Sequence, residues 1–339
     1  MKNYSLLLLL LLLIAGNVVS QTGDKSKLTF DGIYTPSPPV KIIFDTDIGG
    51  DWDDVGALAV LHSFANSGEV EILAMGVSAV GYTAKWGPSC VDAINTYYNR
   101  PDIPIGICEV GLDYPDSPYN KQISEEFLNQ IDTLYNAAKL YRKVLAQQPD
   151  NSVVLITVGY FENVAELLNS TADDYSDLTG VDLVNKKVKL WVCMGGIFPD
   201  GGTECNTTSS PIQTKFAIDN WPRPILFSGM EIGSKIHSGS RLAELPESNP
   251  VRRAYEISGG LGHKHASFDQ TAVLAAVRNP ELYWEIVGNG WCSMSTNWLT
   301  GNKWHATPDK GHAYLLEKVP VKELEMVIDS LMLALPLSE

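Results

Sequence analysis

Ile42-Ile43-Phe44 is a short apolar run, β-branched enough to read as a buried strand. Beyond it Val55, Leu58, Ala59 and His62 recur at helical spacing, so a helix starts near Asp53. The alternation of short apolar runs with helix-period segments continues along the chain. Val70 to Val77 reads as a strand, Val91 to Asn99 as a helix, and Ile103 to Val110 as a strand. Ser124 to Gln147 reads as helical, broken or bent near Asp132-Thr133. Ser152 to Val158 is the next strand, ending at Gly159, followed by a helix over Asn163 to Leu168. Lys189 to Met194 is a strand ending in Gly195-Gly196. Pro211 to Asn220 suggests a helix, and Pro224 to Phe227 another strand. This order predicts an α/β fold: an open, mostly parallel sheet with helices on both faces. Ligands in such folds bind beyond the carboxyl ends of the strands. The turn after Phe44, Gly159, Gly195-Gly196 and Phe227-Ser228-Gly229 should all lie along that edge.

The N-terminus departs from the pattern. Lys2, the apolar run Leu6 to Ile14 and the small-residue site Val18-Val19-Ser20 read as a secretory signal, residues 1–20. The apolar run is short for a membrane span, no cysteine marks a lipid anchor, and no later stretch is long and apolar enough to cross a bilayer. An exported protein, periplasmic or extracellular and without a stable membrane anchor, is expected. Residues 21–39 then form an N-terminal extension. Residues 40–339 form a single domain, since no linker or composition break divides them.

Charge narrows the partners. The formal net charge is −15, and −16 once Lys2 leaves with the signal. That argues against binding nucleic-acid polymers or anionic membranes through a basic face, and leaves small neutral substrates open. Five cysteines leave at least one thiol unpaired. They show no zinc-like spacing, and Cys108 and Cys193 sit in apolar runs as buried small hydrophobes.

The chemistry concentrates in one turn. Asp45, Asp47, Asp51, Asp53 and Asp54 fall within ten residues, with Gly49 and Gly50 among them. A helix dipole accounts for one or two acids in a first turn, not five. A hard cation with oxygen ligands is the natural counter-charge. An EF-hand loop does not fit, because Gly49 stands at the fifth position from Asp45 and Gly56 at the twelfth, where a bidentate Glu belongs. An aspartyl-phosphate hydrolase opens with a strand-end Asp-x-Asp, as Asp45-Thr46-Asp47 does, with Asp45 as nucleophile. That reading leaves Asp51, Asp53 and Asp54 unexplained.

The turn resembles the opening of the inosine-uridine preferring nucleoside hydrolase family: strand, Asp45-Thr46-Asp47-Ile48-Gly49, then Asp53-Asp54 leading into Ala57-Leu58-Ala59. Two extra residues precede the Asp pair. Later segments recur in the family's order: Gly159-Tyr160-Phe161-Glu162-Asn163, then Met194-Gly195-Gly196 with Glu204-Cys205-Asn206, then Ser267-Phe268-Asp269-Gln270. The resemblance implies that Asp47, Asp54, the backbone carbonyl of Glu162 and Asp269 hold one Ca²⁺. It implies that Asp47 takes a proton from the attacking water, and that Asp53, Glu204 and Asn206 bind ribose hydroxyls. Nucleosides would be cleaved to free base and ribose. Tyr82 stands where the family has a substrate-binding Asn, and Phe268 where many members carry a His that protonates or steers the base. Asp45 would support the site from behind, and Asp51 belongs to the solvated loop. His265, Trp298 and His305 are candidates for contact with the base. The resemblance also implies a homodimer or homotetramer. A calcium-bearing ribose-binding protein without turnover is the reading from a different class, and Phe268 is its motive.

Overall fold

The computed structural model describes residues 34–78, 84–109 and 118–338. The secretory signal, most of the extension, Tyr82 and Val110 therefore lie outside the described residues. The strands are β1 (Val40–Thr46), β2 (Val70–Val77), β3 (Ile105–Ile107), β4 (Leu134–Asn136), β5 (Val153–Thr157), β6 (Val188–Met194), β7 (Ile225–Ser228), β8 (His237–Ser238), β9 (His265–Ala266), β10 (Trp284–Met294), β11 (Asn302–His305) and β12 (His312–Glu317). The helices are α1 (Asp53–Asn66), α2 (Gly87–Tyr97), α3 (Pro118–Glu126), α4 (Ala137–Gln147), α5 (Glu162–Asn169), α6 (Gly180–Lys187), α7 (Cys205–Thr208), α8 (Pro211–Asn220), α9 (Met230–Gly233), α10 (Pro250–Ile257), α11 (Phe268–Val277) and α12 (Val321–Met332).

Ten strands form one sheet in the order β11-β10-β12-β7-β6-β5-β1-β2-β3-β4. Its pairings are parallel except those of β10, which runs antiparallel to β11 and β12. The open, mostly parallel sheet read from the sequence is thus the observed architecture. Alternation along each strand splits the core in two. Ile42, Phe44, Val154, Ile156, Leu190 and Val192 face one layer, packed by α1, α2, α10, α11 and α12. Ile43, Leu155, Trp191, Cys193 and Phe227 face the other, packed by α4, α5, α6 and α8.

One expectation is resolved and one needs correction. Of the two readings of Ser124 to Gln147, broken or bent near Asp132-Thr133, the structure has the break, with a strand inside it. The chain leaves α3 after Glu126, adds β4 beside β3, and starts α4 afresh where the Asn136 side chain accepts a hydrogen bond from Lys139 N at 2.8 Å. Among the described residues, the strand expected over Ile103 to Val110 spans Ile105 to Ile107, and Pro104, without an N–H to give, sets its N-terminal limit. All five cysteines are free, four of them buried and Cys205 exposed.

The strand order fixes where a ligand can sit. From β1 the chain proceeds outward through β2, β3 and β4, while β5, β6 and β7 build the sheet in the opposite direction. The loops beyond β1 and β5 therefore part at a topological switch point and leave a crevice.

Candidate active site

A cavity of about 230 Å³ opens at that crevice, lined by the acids Asp47, Asp51, Asp53, Asp54, Glu204 and Asp269, by the apolar residues Val158, Met194, Met230 and Phe268, and by Cys205 and Asn206. The turn after β1 supplies four of the acids. Its shape is held from outside: Tyr119 Oη donates to the Asp51 carbonyl at 2.8 Å, and Asn120 Nδ2 to the Ile48 carbonyl at 3.3 Å. Gly159, just beyond β5, lets the two loops touch. A Cβ there would stand 2.4 Å from Asp47 N.

Inside the turn, Thr46 Oγ1 donates to Asp54 Oδ1 and accepts from Ile48 N. Asp53 and Asp54 open α1, and Asp269 lies in the first turn of α11. The Asp269 backbone N–H donates to Asp53 Oδ2 at 3.1 Å, joining the two helix starts. Oxygens of Asp53, Asp54 and Asp269 lie within 4.8 Å of one another. All four buried aspartates, Asp47, Asp53, Asp54 and Asp269, are driven toward the protonated form, first by burial and then by the charge of neighbouring acids, Asp51 in the case of Asp53. Asp47 is pushed up to about 8, Asp53 to about 7, and Asp54 and Asp269 are well above the carboxylate range. No Lys or Arg is among the described residues lining the cavity. An oxygen-only set of buried, uncompensated carboxylates is the donor chemistry a hard divalent cation takes. The turn is an Asp-rich potential metal site.

Glu204 caps α7. Its carboxylate accepts from the backbone N–H groups of Asn206 (2.8 Å), Gly196 (3.0 Å) and Thr207 (3.1 Å). Asn206 Nδ2 donates to the Val158 carbonyl at 3.0 Å and to Met194 Sδ at 3.2 Å, which ties the ends of β5 and β6 and leaves the amide oxygen as its acceptor. Asp45 lies behind the turn. Its Oδ2 accepts from Tyr141 Oη and from Asn163 Nδ2, and burial raises its pKa to about 6. Glu162 begins α5 with a buried side chain, raised by burial to about 7, that does not line the cavity.

His265 is beside the site without lining it. Its Nε2 is 2.7 Å from Asp51 Oδ1, and its ring stacks on Trp52 with centroids 4.2 Å apart. Burial opposes its protonation, but the pairing with Asp51 and the charges of Asp51 and Asp53 outweigh it, so its pKa is raised. Asp51 pairs with His265 while its side chain stays partly exposed, as a loop acid. Trp298 and His305 do not join the cavity. Trp298 is exposed in the turn between β10 and β11, and His305 stacks on Trp291 at 4.3 Å while Nε2 meets Ser293 Oγ at 2.8 Å. Trp304 packs edge-on against Tyr314 at 4.8 Å. These side chains sit on the antiparallel edge of the sheet. Tyr82 lies outside the described residues. Met194 belongs to the hydrophobic core and also lines the cavity. Sequence reading assigned no role to Val158 or Met230; their one signal was that they follow strand ends.

No protein-family profile and no curated protein matches the sequence. Solved structures do. An inosine-uridine preferring nucleoside hydrolase from Bacillus anthracis is 16% identical with a TM-score of 0.65, over 86% of this chain and 99% of that one. A purine-preferring ribonucleoside hydrolase from Gardnerella vaginalis is 16% identical with a TM-score of 0.64, over 86% of this chain and 99% of that one. The type III effector XopQ, solved with adenosine diphosphate ribose, is 14% identical with a TM-score of 0.62, over 88% of this chain and 94% of that one. The chain has the fold of the nucleoside hydrolases.

Proposed function

We propose that this protein hydrolyses the N-glycosidic bond of ribonucleosides, releasing free base and ribose, with Ca²⁺ as its resident ion. The observation that carries the reading is the meeting of Asp53, Asp54 and Asp269 beside Asp47, at the switch point of a sheet shared with nucleoside hydrolases. Asp47, Asp54, Asp269 and the Glu162 carbonyl are the oxygen donors for the ion. When bound, the ion supplies positive charge that lowers the pKa of water and attracts ribose hydroxyls. Asp47 accepts the proton of the attacking water. Asp53, Asn206 and Glu204 hold the ribose, and the carboxylates around it stabilise a transition state of oxocarbenium character. The secretory-type N-terminus supports export of the same protein.

The phosphohydrolase alternative needs Asp45 as nucleophile, and that carboxylate is turned to Tyr141 and Asn163, out of the cavity. A binding protein without turnover is favoured by one observation: Phe268, not a proton donor, lines the cavity. Ribose release from a panel of nucleosides, with and without chelator, for wild type and Asp47→Asn, separates the readings. Release that needs both calcium and Asp47 supports hydrolysis. Calorimetric binding of nucleosides by the calcium-loaded protein without release supports the binding role.

A further inference from the structure

A second group of metal-binding atoms stands beside the cavity, built from Asp51, Asp53 and His265. A carboxylate oxygen of each aspartate and a ring nitrogen of His265 lie within 4.8 Å of one another. That is close to the span of ligands around one ion bound at about 2.0–2.2 Å. Three separate elements bring the groups together. Asp51 belongs to the turn after β1, where Tyr119 Oη donates to its carbonyl at 2.8 Å. Asp53 opens α1, and His265 lies in β9, paired with Ser238 of β8. The Trp52 ring, stacked on the imidazole at 4.2 Å, sets its plane.

The imidazole is what points to a ligand. His265 Nε2 is buried and has no hydrogen-bond partner. Asp51 Oδ1 is 2.7 Å away, near enough for an ion pair, but the contact misses the angle of a hydrogen bond. A buried polar atom left so is costly unless something else meets it, and a ring nitrogen facing a carboxylate off its N–H axis is the arrangement of two ligands that share an ion. Asp53 is 3% exposed, and its Oδ2 accepts from Asp269 N. A carboxylate has about four lone-pair sites, so most of them stay open. The neighbouring Lys264 does not answer these acids and is paired with Glu325 at 2.5 Å instead.

We propose that Asp51, Asp53 and His265 hold a second divalent cation, distinct from the calcium position proposed at Asp47, Asp54 and Asp269. The nitrogen ligand sets its chemical class. An imidazole suits Zn²⁺ and its transition-metal neighbours, whereas calcium takes oxygen. Any proton on the ligands is displaced when the ion binds. Three protein ligands leave a fourth position open for water or a substrate oxygen. Asp51 and Asp53 both line the cavity, so that position is within its reach. Asp53 stands between the two cations, since its carboxylate also lies within 4.8 Å of those of Asp54 and Asp269.

The test titrates Zn²⁺ into the purified protein, stripped with chelator and then held in saturating calcium. Calorimetry gives the affinity, and elemental analysis of the desalted protein gives both metals. The expected result is one Zn²⁺ bound per chain with no calcium lost. His265→Gln should weaken that zinc binding at least tenfold and leave calcium binding unchanged. Asp51→Asn, at a partly exposed side chain, should weaken it as well and decides the matter if the first variant folds poorly. No zinc bound by wild type, zinc exchanged one for one with calcium, or zinc bound as tightly by both variants overturns the inference. Ribose release is a separate readout, so the hydrolase reading stands or falls independently.

Discussion

The acidic and the apolar residues that line the cavity, its acidic and apolar walls for short, are brought together in different ways. Four of the six acids come from one stretch of eight residues, Asp47 to Asp54, which runs from the end of β1 into the first turn of α1. The apolar wall is gathered from the ends of β5, β6 and β7 and from the start of α11. The first is a local device whose charge creates a requirement for a cation. The second exists only through tertiary structure.

The sharpest way to break the acidic wall is Asp47→Asn. Loss of a positioned base should lower kcat on a cleaved riboside by about 10²–10⁴-fold, read as steady-state ribose release. Next is the cation itself. Calcium at a hundred times its Kd should stabilise the wild type by about 2.7 kcal/mol, measured as denaturant unfolding with and without chelator. Asp54→Asn or Asp269→Asn should abolish that increment, whereas Met230→Ala on the apolar wall should leave it intact and change only the kinetics. Should Met230→Ala remove the increment, the two walls are not separable.

Gly159→Ala tests the seam between the walls. The added methyl meets Asp47 N at 2.4 Å and Asp47 Cβ at 2.8 Å, so backbone must shift, at about 1–3 kcal/mol in unfolding free energy and with weaker calcium binding. The smallest effect lies further along α1, where the helix that begins with two acids buries His62. There burial and the Arg100 charge hold the imidazole down to about 3, with Nε2 against Asn95 Oδ1 at 2.9 Å. The unfolded chain takes up that proton near pH 6.5 and the folded chain does not. Stability from this group is therefore present above pH 6.5 and is lost as pH falls toward 3. The slope is at most about 1.4 kcal/mol per pH unit. In urea titrations between pH 4 and 7, His62→Gln should flatten that slope.

The same contrast explains what was legible in the sequence. Asp47, Asp53 and Asp54 could be read because charge density in a short turn is visible without a fold. Asp269 could be placed only through the order of family-like segments. Period-2 and period-3.6 patterns gave the central strands and α1, α5 and α8, since burial dictates both. They did not give β4, three residues long at the sheet edge, where pairing with β3 rather than an apolar pattern makes the strand. Trp298 and His305 illustrate the other limit. Aromatic and imidazole side chains advertise chemistry anywhere in a sequence, but here they decorate the far β10–β11 ribbon. His265 shows the converse: it lies beside the cavity as the partner of Asp51, through a contact no sequence pattern displays.

The hydrogen bond from Asp269 N to Asp53 Oδ2 spans 216 residues of chain. A ribosome-bound or proteolysed fragment ending before residue 269 can contain the whole aspartate turn and still lack its closing donor. Tight retention of the ion would then be a certificate of an intact polypeptide rather than of the motif, and a calcium-release assay would serve as a quality check on recombinant material before any substrate is added.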